Sequence, residues 1–296
     1  MANSPFFSVI IPTYKRRAYL RNCLEAISQT SYHKDRFEVI VVDDSNDQGI
    51  TYFLSPFYER LHLLILSQKN AGPAAARNKG SRHARGTYLV FTDDDCVPAS
   101  NWLNTLAQRF LKTPDCAIAG KTVNALTSNL YSTASQHIID YLYAYYNIDP
   151  DYAQFAVSSN FALPAEGFDA VGGFDINFTR PAGEDRDLCA RWRDHGFRII
   201  YAPEVIVRHY HALLLNSFLK QHFNYGRGAY CFHQKRSERT CNDNGFKSLR
   251  FYIDLLSYPL SKPLFRNRLL IVMLLALSQI SICAGYLMEK MNQNNK

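Results

Sequence analysis

Three consecutive carboxylates, Asp93, Asp94 and Asp95, close an apolar run, YLVFT at 88–92, in a chain of 296 residues. Adjacent like charges repel, and a hard divalent cation with oxygen ligands suits such a cluster as counter-charge. Alternate side chains of an extended segment point the same way. Asp93 and Asp95 are therefore expected to share one ion, with Asp94 directed elsewhere. A solvated acidic loop would produce the same letters. A second acidic pair, however, Asp43-Asp44, closes a second apolar run, FEVIVV at 37–42. A carboxylate there can accept a hydrogen bond from a polar ligand edge such as the imide N–H of a uracil. An ordinary turn after a strand is the alternative.

Other residues could complete a site. Asn70 to Asn78 joins a Gly72-Pro73 turn to an alanine-rich helix. Small residues admit a ligand closely, and Arg77 has the planar fork that binds phosphate bidentately. Helix packing alone would use the same residues. Glu184-Asp185 opens a later helix, where acids suit the positive end of the helix dipole. The functional alternative is a general base presented to a hydroxyl. Val205 to His211 ends a strand-like run in His209 and His211, either of which could finish a metal site as a neutral imidazole.

The elements that position these residues are legible as alternating patterns. Apolar runs at 7–12, 37–42, 61–66 and 88–92 read as buried strands. Helical spacing appears at 19–29 (Leu20, Cys23, Leu24, Ile27), at 73–83 after Gly72-Pro73, and at 183–195 with Gly196 as its stop. A further strand is expected at 198–202, while 101–150 is aromatic-rich and yields no clear pattern. Strands alternating with helices imply an α/β fold, a mostly parallel sheet flanked by helices. Ligands of such sheets bind beyond the C-terminal strand ends, where Pro12-Thr13-Tyr14, Asp43-Asp44 and the acidic triplet all fall.

Composition bounds the class. With 47% hydrophobic and 20% charged residues the chain can bury a sizeable core, and its 14% aromatic content excludes a disordered tract. The formal charge of +7 is uneven. From Val205 onward there are 13 Lys/Arg against 4 Asp/Glu, leaving 20 against 22 before it, so the basic excess lies in the tail. That tail suits an anionic membrane or nucleic acid. The seven cysteines include no CxxC pair, which points to reduced thiols in a cytosolic compartment. MANSPFF has no basic stretch before an apolar run, so no signal peptide is expected. Residues 269–288 carry no charge and are long enough to span a bilayer, with Lys262, Arg266 and Arg268 on the N-terminal flank. A helix docked on a groove or partner would look the same.

SVIIPTYKR (8–16), VVDDSN (41–46), NAGPAAARNKG (70–80), FTDDDC (91–96), SSNFALPAEGFDAVGGFD (158–175) and GEDRDL (183–188), in this order, resemble the family 2 glycosyltransferases. The resemblance covers roughly residues 6–210 and implies the GT-A (Rossmann-like) fold and an inverting transfer from a nucleotide sugar. It implies that Pro12, Thr13, Tyr14 and Asp44 bind the base, with Gly72, Arg77 and Asp94 among the donor-binding residues. Asp93 and Asp95 match its DxD element for Mn2+ or Mg2+, with Asp95 the direct ligand and His209 completing the metal site. Asp185 is then the base, with Glu184 beside it, and Asn160 belongs to the acceptor-side segment. The Asn224-Tyr225-Gly226-Arg227-Gly228 stretch resembles a turn of membrane-associated members.

These expectations divide the chain into a catalytic domain at 1–215 and a basic, helical, membrane-associating region at 216–296. The nucleotide half of the domain is about 1–100 and the acceptor half about 101–215. The donor is expected to be a UDP-sugar, and the acceptor a saccharide or a lipid-linked one. The site is expected at the cytoplasmic face of a membrane, attached peripherally or by one C-terminal span, with a homo-oligomer left open. Nucleic acid is not expected as a partner, since it does not explain an apolar 20-mer. A nucleotidyltransferase would carry a Gly-rich basic loop after the first strand, where Pro-Thr-Tyr-Lys-Arg stands. A non-catalytic basic membrane- or nucleic-acid-binding protein leaves Asp95 and Asp185 unexplained.

Overall fold

The computed structural model describes residues 4–178, 182–239, 247–261 and 267–294. Cys241, Lys262 and Arg266 lie outside the described residues. Among the described residues eight strands form one sheet: β1 (Phe7–Thr13), β2 (Phe37–Asp43), β3 (Leu63–Ser67), β4 (Tyr88–Phe91), β5 (Cys96–Pro98), β6 (Ala117–Asn124), β7 (Phe161–Pro164) and β8 (Ile199–His209). Their order is β3-β2-β1-β4-β7-β6-β8-β5. The first four run parallel, with Thr13 level with Asp43. β7 is antiparallel to β4 and β6, and β5 antiparallel to β8. β1 and β2 are buried along their whole length, as unalternating β-branched runs covered on both faces must be.

Among the described residues ten α-helices cover and extend the sheet: α1 (Arg17–Ser28), α2 (Ile50–Leu54), α3 (Pro73–Arg82), α4 (Trp102–Lys112), α5 (Leu130–Tyr146), α6 (Ala165–Ala170), α7 (Glu184–Asp194), α8 (Leu215–Arg239), α9 (Leu249–Ser257) and α10 (Arg268–Asn294). Leu20, Cys23, Leu24 and Ile27 of α1 join the core on one face of the sheet, and Ala74 and Ala76 of α3 join that on the other. α3 lies so close that a Cβ on Gly80 would stand 2.5 Å from Ile10. The unparsed stretch 101–150 holds α4, β6 and α5. Their apolar residues face three different cores, so no single period ran through them.

The runs at 198–202 and 205–211 are one strand, β8, interrupted by a bulge: Gly120 of β6 faces Ala202, but Lys121 faces Ile206. Asn160 fills the break. Its Nδ2 donates to the carbonyls of Lys121 (3.0 Å) and Val205 (2.8 Å), and its Oδ1 accepts from Trp102 Nε1 at 2.9 Å. This corrects the acceptor-side expectation for Asn160, whose amide is consumed inside the sheet.

The 224–228 stretch is also corrected: it is not a turn but the middle of α8. Its glycines serve packing. A Cβ on Gly226 would meet the Ile282 carbonyl oxygen at 1.9 Å, and one on Gly285 that of Phe223 at 1.9 Å. α8 and α10 therefore run with backbones nearly touching. A third core unites Ile138 and Tyr141 of α5, Phe218 of α8, Leu255 of α9 and Ile271 and Leu275 of α10.

Asn160→Ala strands three buried polar partners, each costing about 1–3 kcal/mol. Urea unfolding should show a loss of about 3 kcal/mol or more, and Gly120→Ala, whose Cβ would meet the Asn160 amide at 2.3 Å, a loss of the same kind. A change within about 0.5 kcal/mol, the usual range for a surface substitution, would contradict this role.

Candidate active site

Parallel pairing of β4, β1 and β2 brings the acidic strand ends together, and each carboxylate meets a different partner. Asp94 is fully buried and accepts from Thr13 Oγ1 at 2.7 Å. Arg16 bridges Asp94 (2.5 Å) and Asp95 (2.7 Å). Burial pushes the Asp94 carboxyl up to about 7 against the pull of Arg16. Arg16, absent from the expected site, had one signal in the sequence: a cation three residues beyond the strand end that faces the triplet.

The antiparallel pairing of Cys96 with His209 sets the imidazole beside Asp95, Nε2 to Oδ1, at 3.1 Å. Burial lowers the proton affinity of His209, but the Asp95 carboxylate outweighs it and the net shift is upward. Burial likewise works to raise the Asp95 carboxyl, and His209 and Arg16 overcome it and hold it low. Asp95, Cys96 and His209 form the group of potential ligands found among the described residues. Burial keeps the Cys96 thiol protonated, so Asp95 and His209 are its competent pair.

Asp93 stands outside that group. The segment turns, with Cys96 N donating to Asp93 O at 3.1 Å, so the alternation of an extended chain does not apply. The Asp93 carboxylate instead accepts from Arg77 at 2.7 Å, and the other arm of Arg77 reaches Glu184 at 3.0 Å. Arg77 is only 3% exposed, and its two arms hold carboxylates that link β4 to α7.

Asp44 is also engaged. Its two oxygens accept from Gln68 Nε2 and the backbone N–H groups of Ala71 and Gly72, at 2.8 to 2.9 Å. It shapes the loop in which Gly72, at φ +88°, turns the chain into α3. Pro12 is buried within β1, whereas Tyr14 beyond it is 43% exposed and offers a ring face.

Asp185 and Glu184 open α7 behind Gly183, which is left-handed at φ +91°. Burial raises both carboxyls, Glu184 to about 7. Glu184 Oε2 is buried without a partner among the described residues. Both acids line a cavity of about 500 Å³, with Arg77, Asp93, His209 and His211. Tyr225 of α8, named from the sequence only as part of a turn, lines it too; the helix that brings it there could not be read from its letters.

The sequence profile of glycosyl transferase family 2 matches residues 8–172, more than half of the chain. The chain belongs to this family. A second profile, described as the N-terminal domain of galactosyltransferase, matches residues 140–213. Glycosyltransferase AglE of Haloferax volcanii is 29% identical over 233 residues, covering 76% of this chain and 73% of its own. Validoxylamine A glucosyltransferase of Streptomyces hygroscopicus is 26% identical over 68% of this chain and 54% of its own. Among solved structures, mannosyltransferase PcManGT of Pyrobaculum calidifontis, in complex with GDP-Man and Mn2+, superposes with a TM-score of 0.67. It is 20% identical, over 96% of this chain and 87% of its own. Staphylococcus aureus TarS 1–349 in complex with UDP-GlcNAc superposes at 0.56, 16% identical over 98% and 92%. These likenesses establish the GT-A fold for this family member, a glycosyltransferase.

A carboxyl raised from its ordinary value near 4.3 to about 7 binds its proton more tightly when folded. The stability Glu184 contributes is full below about pH 4 and is lost as pH rises toward about 7. Urea unfolding between about pH 5 and pH 8 should therefore fall more steeply in the wild type than in Glu184→Gln, and parallel profiles would contradict it.

Proposed function

We propose that this glycosyltransferase moves a sugar from a nucleoside-diphosphate sugar, a UDP-sugar by preference, to an acceptor hydroxyl with inversion at the anomeric carbon. The observation that carries the reading is the shared cavity. It is lined by His209, the neighbour of Asp95, by Asp185, and by Arg77 and Asp93, which are ion-paired. The acceptor oxygen bonds to the anomeric carbon as the bond from that carbon to the diphosphate breaks. The acceptor proton passes to Asp185, and the nucleoside diphosphate leaves. One such displacement needs one base and no protein nucleophile.

The donor set suits a divalent cation, Mn2+ or Mg2+. Asp95 supplies a carboxylate and His209 an imidazole, and the raised Asp94 and Glu184 carboxyls mark a surplus of buried acid that a cation would relieve. When bound, such an ion supplies Lewis-acid stabilisation of the leaving diphosphate. Arg16 neutralises Asp94 and Asp95 and must give way to it. Asp93 acts through Arg77, holding Glu184 and the start of α7 in place. Tyr14 offers its ring to the base, and Asp44 and Gly72 shape the loop beneath it.

On this reading residues 1–215 carry the chemistry and 216–296 close over the acceptor side and meet a membrane. α10 is the helix among the described residues that is long and apolar enough to cross a bilayer. It is clamped along α8, which carries Lys220, Arg227, Lys235 and Arg236, and Arg227 pairs with Glu289 of α10. A span would draw Lys220 and Arg227, which lie beside the apolar part of α10, toward hydrocarbon. An in-plane attachment, on the cytoplasmic side where the described free thiols stay reduced, avoids this.

Asp185→Asn should lower kcat by about 10²- to 10⁴-fold, the range of a general base, with the Kd for UDP unchanged; retained turnover would refute the assignment. Calorimetric titration of UDP should show Mn2+-dependent affinity that Asp95→Ala and His209→Ala remove. That affinity should weaken on acidification from neutral pH, because Asp95 raises the proton affinity of His209. The protein should sediment with anionic vesicles and be released by alkaline carbonate; retention after the wash would indicate a span instead.

A further inference from the structure

The cavity that holds Asp185 is lined mostly by apolar side chains, with polar ones such as Gln136, Gln221, Lys247 and Gln279 set among them. Away from the carboxylates it runs among α5, α8, α9 and α10, along Ile139, Leu142, Phe251, Leu255, Ile282 and Leu287. Along these apolar stretches a saccharide hydroxyl would lack a partner, which is costly. A hydrocarbon chain in the same place gains from every buried methylene. The volume of about 500 Å³ is in the range of sites that engulf a small ligand.

The far end opens on a particular surface. Cys283 and Leu287 line the cavity and are exposed, Leu287 at 56%. Leu287 also belongs to a stripe of exposed apolar residues along α10, with Leu269, Met273, Leu277, Ile280 and Met291, at helical spacing. α9 adds exposed Leu249 and Ile253. The mouth thus lies at the border between the cavity and a large unpartnered apolar face, of the kind that meets a membrane.

We propose that the acceptor is lipid-linked: its hydroxyl sits at Asp185 and its hydrocarbon chain, prenyl or acyl, occupies the apolar cavity and leaves past Cys283 and Leu287 into the bilayer. This rests on the glycosyl-transfer reading and selects the acceptor class within it. Glu184 Oε2, buried and unpartnered, is placed to accept a hydrogen bond from the polar head that the chain delivers.

Cys283 provides a readout independent of turnover. In the full-length chain its alkylation by N-ethylmaleimide is followed by peptide mapping, which separates it from the other cysteines. Hexanol, octanol, decanol and dodecanol should protect it, the half-protecting concentration falling about fourfold per methylene until the cavity is full. Farnesol in phosphatidylcholine vesicles should protect it, and the vesicles alone should not. Ile139→Trp, inside the cavity, and Leu287→Trp, at its exposed mouth where folding is not at risk, should each weaken protection. Absence of protection by the alcohols, equal protection by vesicles alone, or unaltered chain-length dependence in both variants would overturn the proposal. Hydrolysis of a panel of nucleotide sugars runs in parallel. No turnover of any donor would sink the transfer reading, and intact turnover without protection would sink only the lipid-linked acceptor.

Discussion

The guanidinium of Arg77 is buried, and a buried charge persists only when it is paired and hydrogen-bonded. Its partners come from distant parts of the chain, Asp93 at the end of β4 and Glu184 at the start of α7. The pairing therefore ties the strand-end cluster to the helix that presents Asp185. Removing either carboxylate would break the bridge and leave one arm of the guanidinium without its partner, and removing Arg77 would leave two acids without their shared cation. This bridge holds the end of β4 and the start of α7 at a fixed separation.

A second constraint works one layer below. The bulge between β6 and β8 leaves carbonyls without ladder partners, and Asn160 satisfies two of them while holding Trp102. The bulge lies within the long strand that ends at His209. The imidazole reaches Asp95 because β8 continues past the break and pairs with β5. An interior amide thus supports an imidazole several residues away, which is why Asn160 looks functional from its setting and is structural in its contacts.

The C-terminal helices change the character of the site. α8 and α10 approach to backbone contact at Gly226 and Gly285, and the core they share with α5 and α9 leaves the apolar chamber beside Asp185. Local glycine suggests a turn; here the same residues allow one helix to lie against another. The tail is then a wall of the chamber beside Asp185 and carries a stripe of exposed apolar residues along α10.

By itself the sequence determined the parallel half of the sheet, the helices that cover it and the strand ends at which chemistry gathers, because buried strands and amphipathic helices carry local periodicities. It also determined the family, through motifs spaced along one order. What the side chains do at those strand ends was decided by tertiary structure. Asp93, Asp94 and Asp95 are adjacent in the chain, yet a turn sends them to Arg77, Thr13 and His209. Arg77 and Asp44, read as ligand contacts, are committed to Glu184 and to the loop at Gly72. Arg16 enters the site through contacts with residues far away in sequence, and Tyr225 through the placement of α8 beside the cavity. Hydrogen bonds and ion pairs are short-ranged and join residues far apart in the chain, so no local pattern records which donor meets which carboxylate.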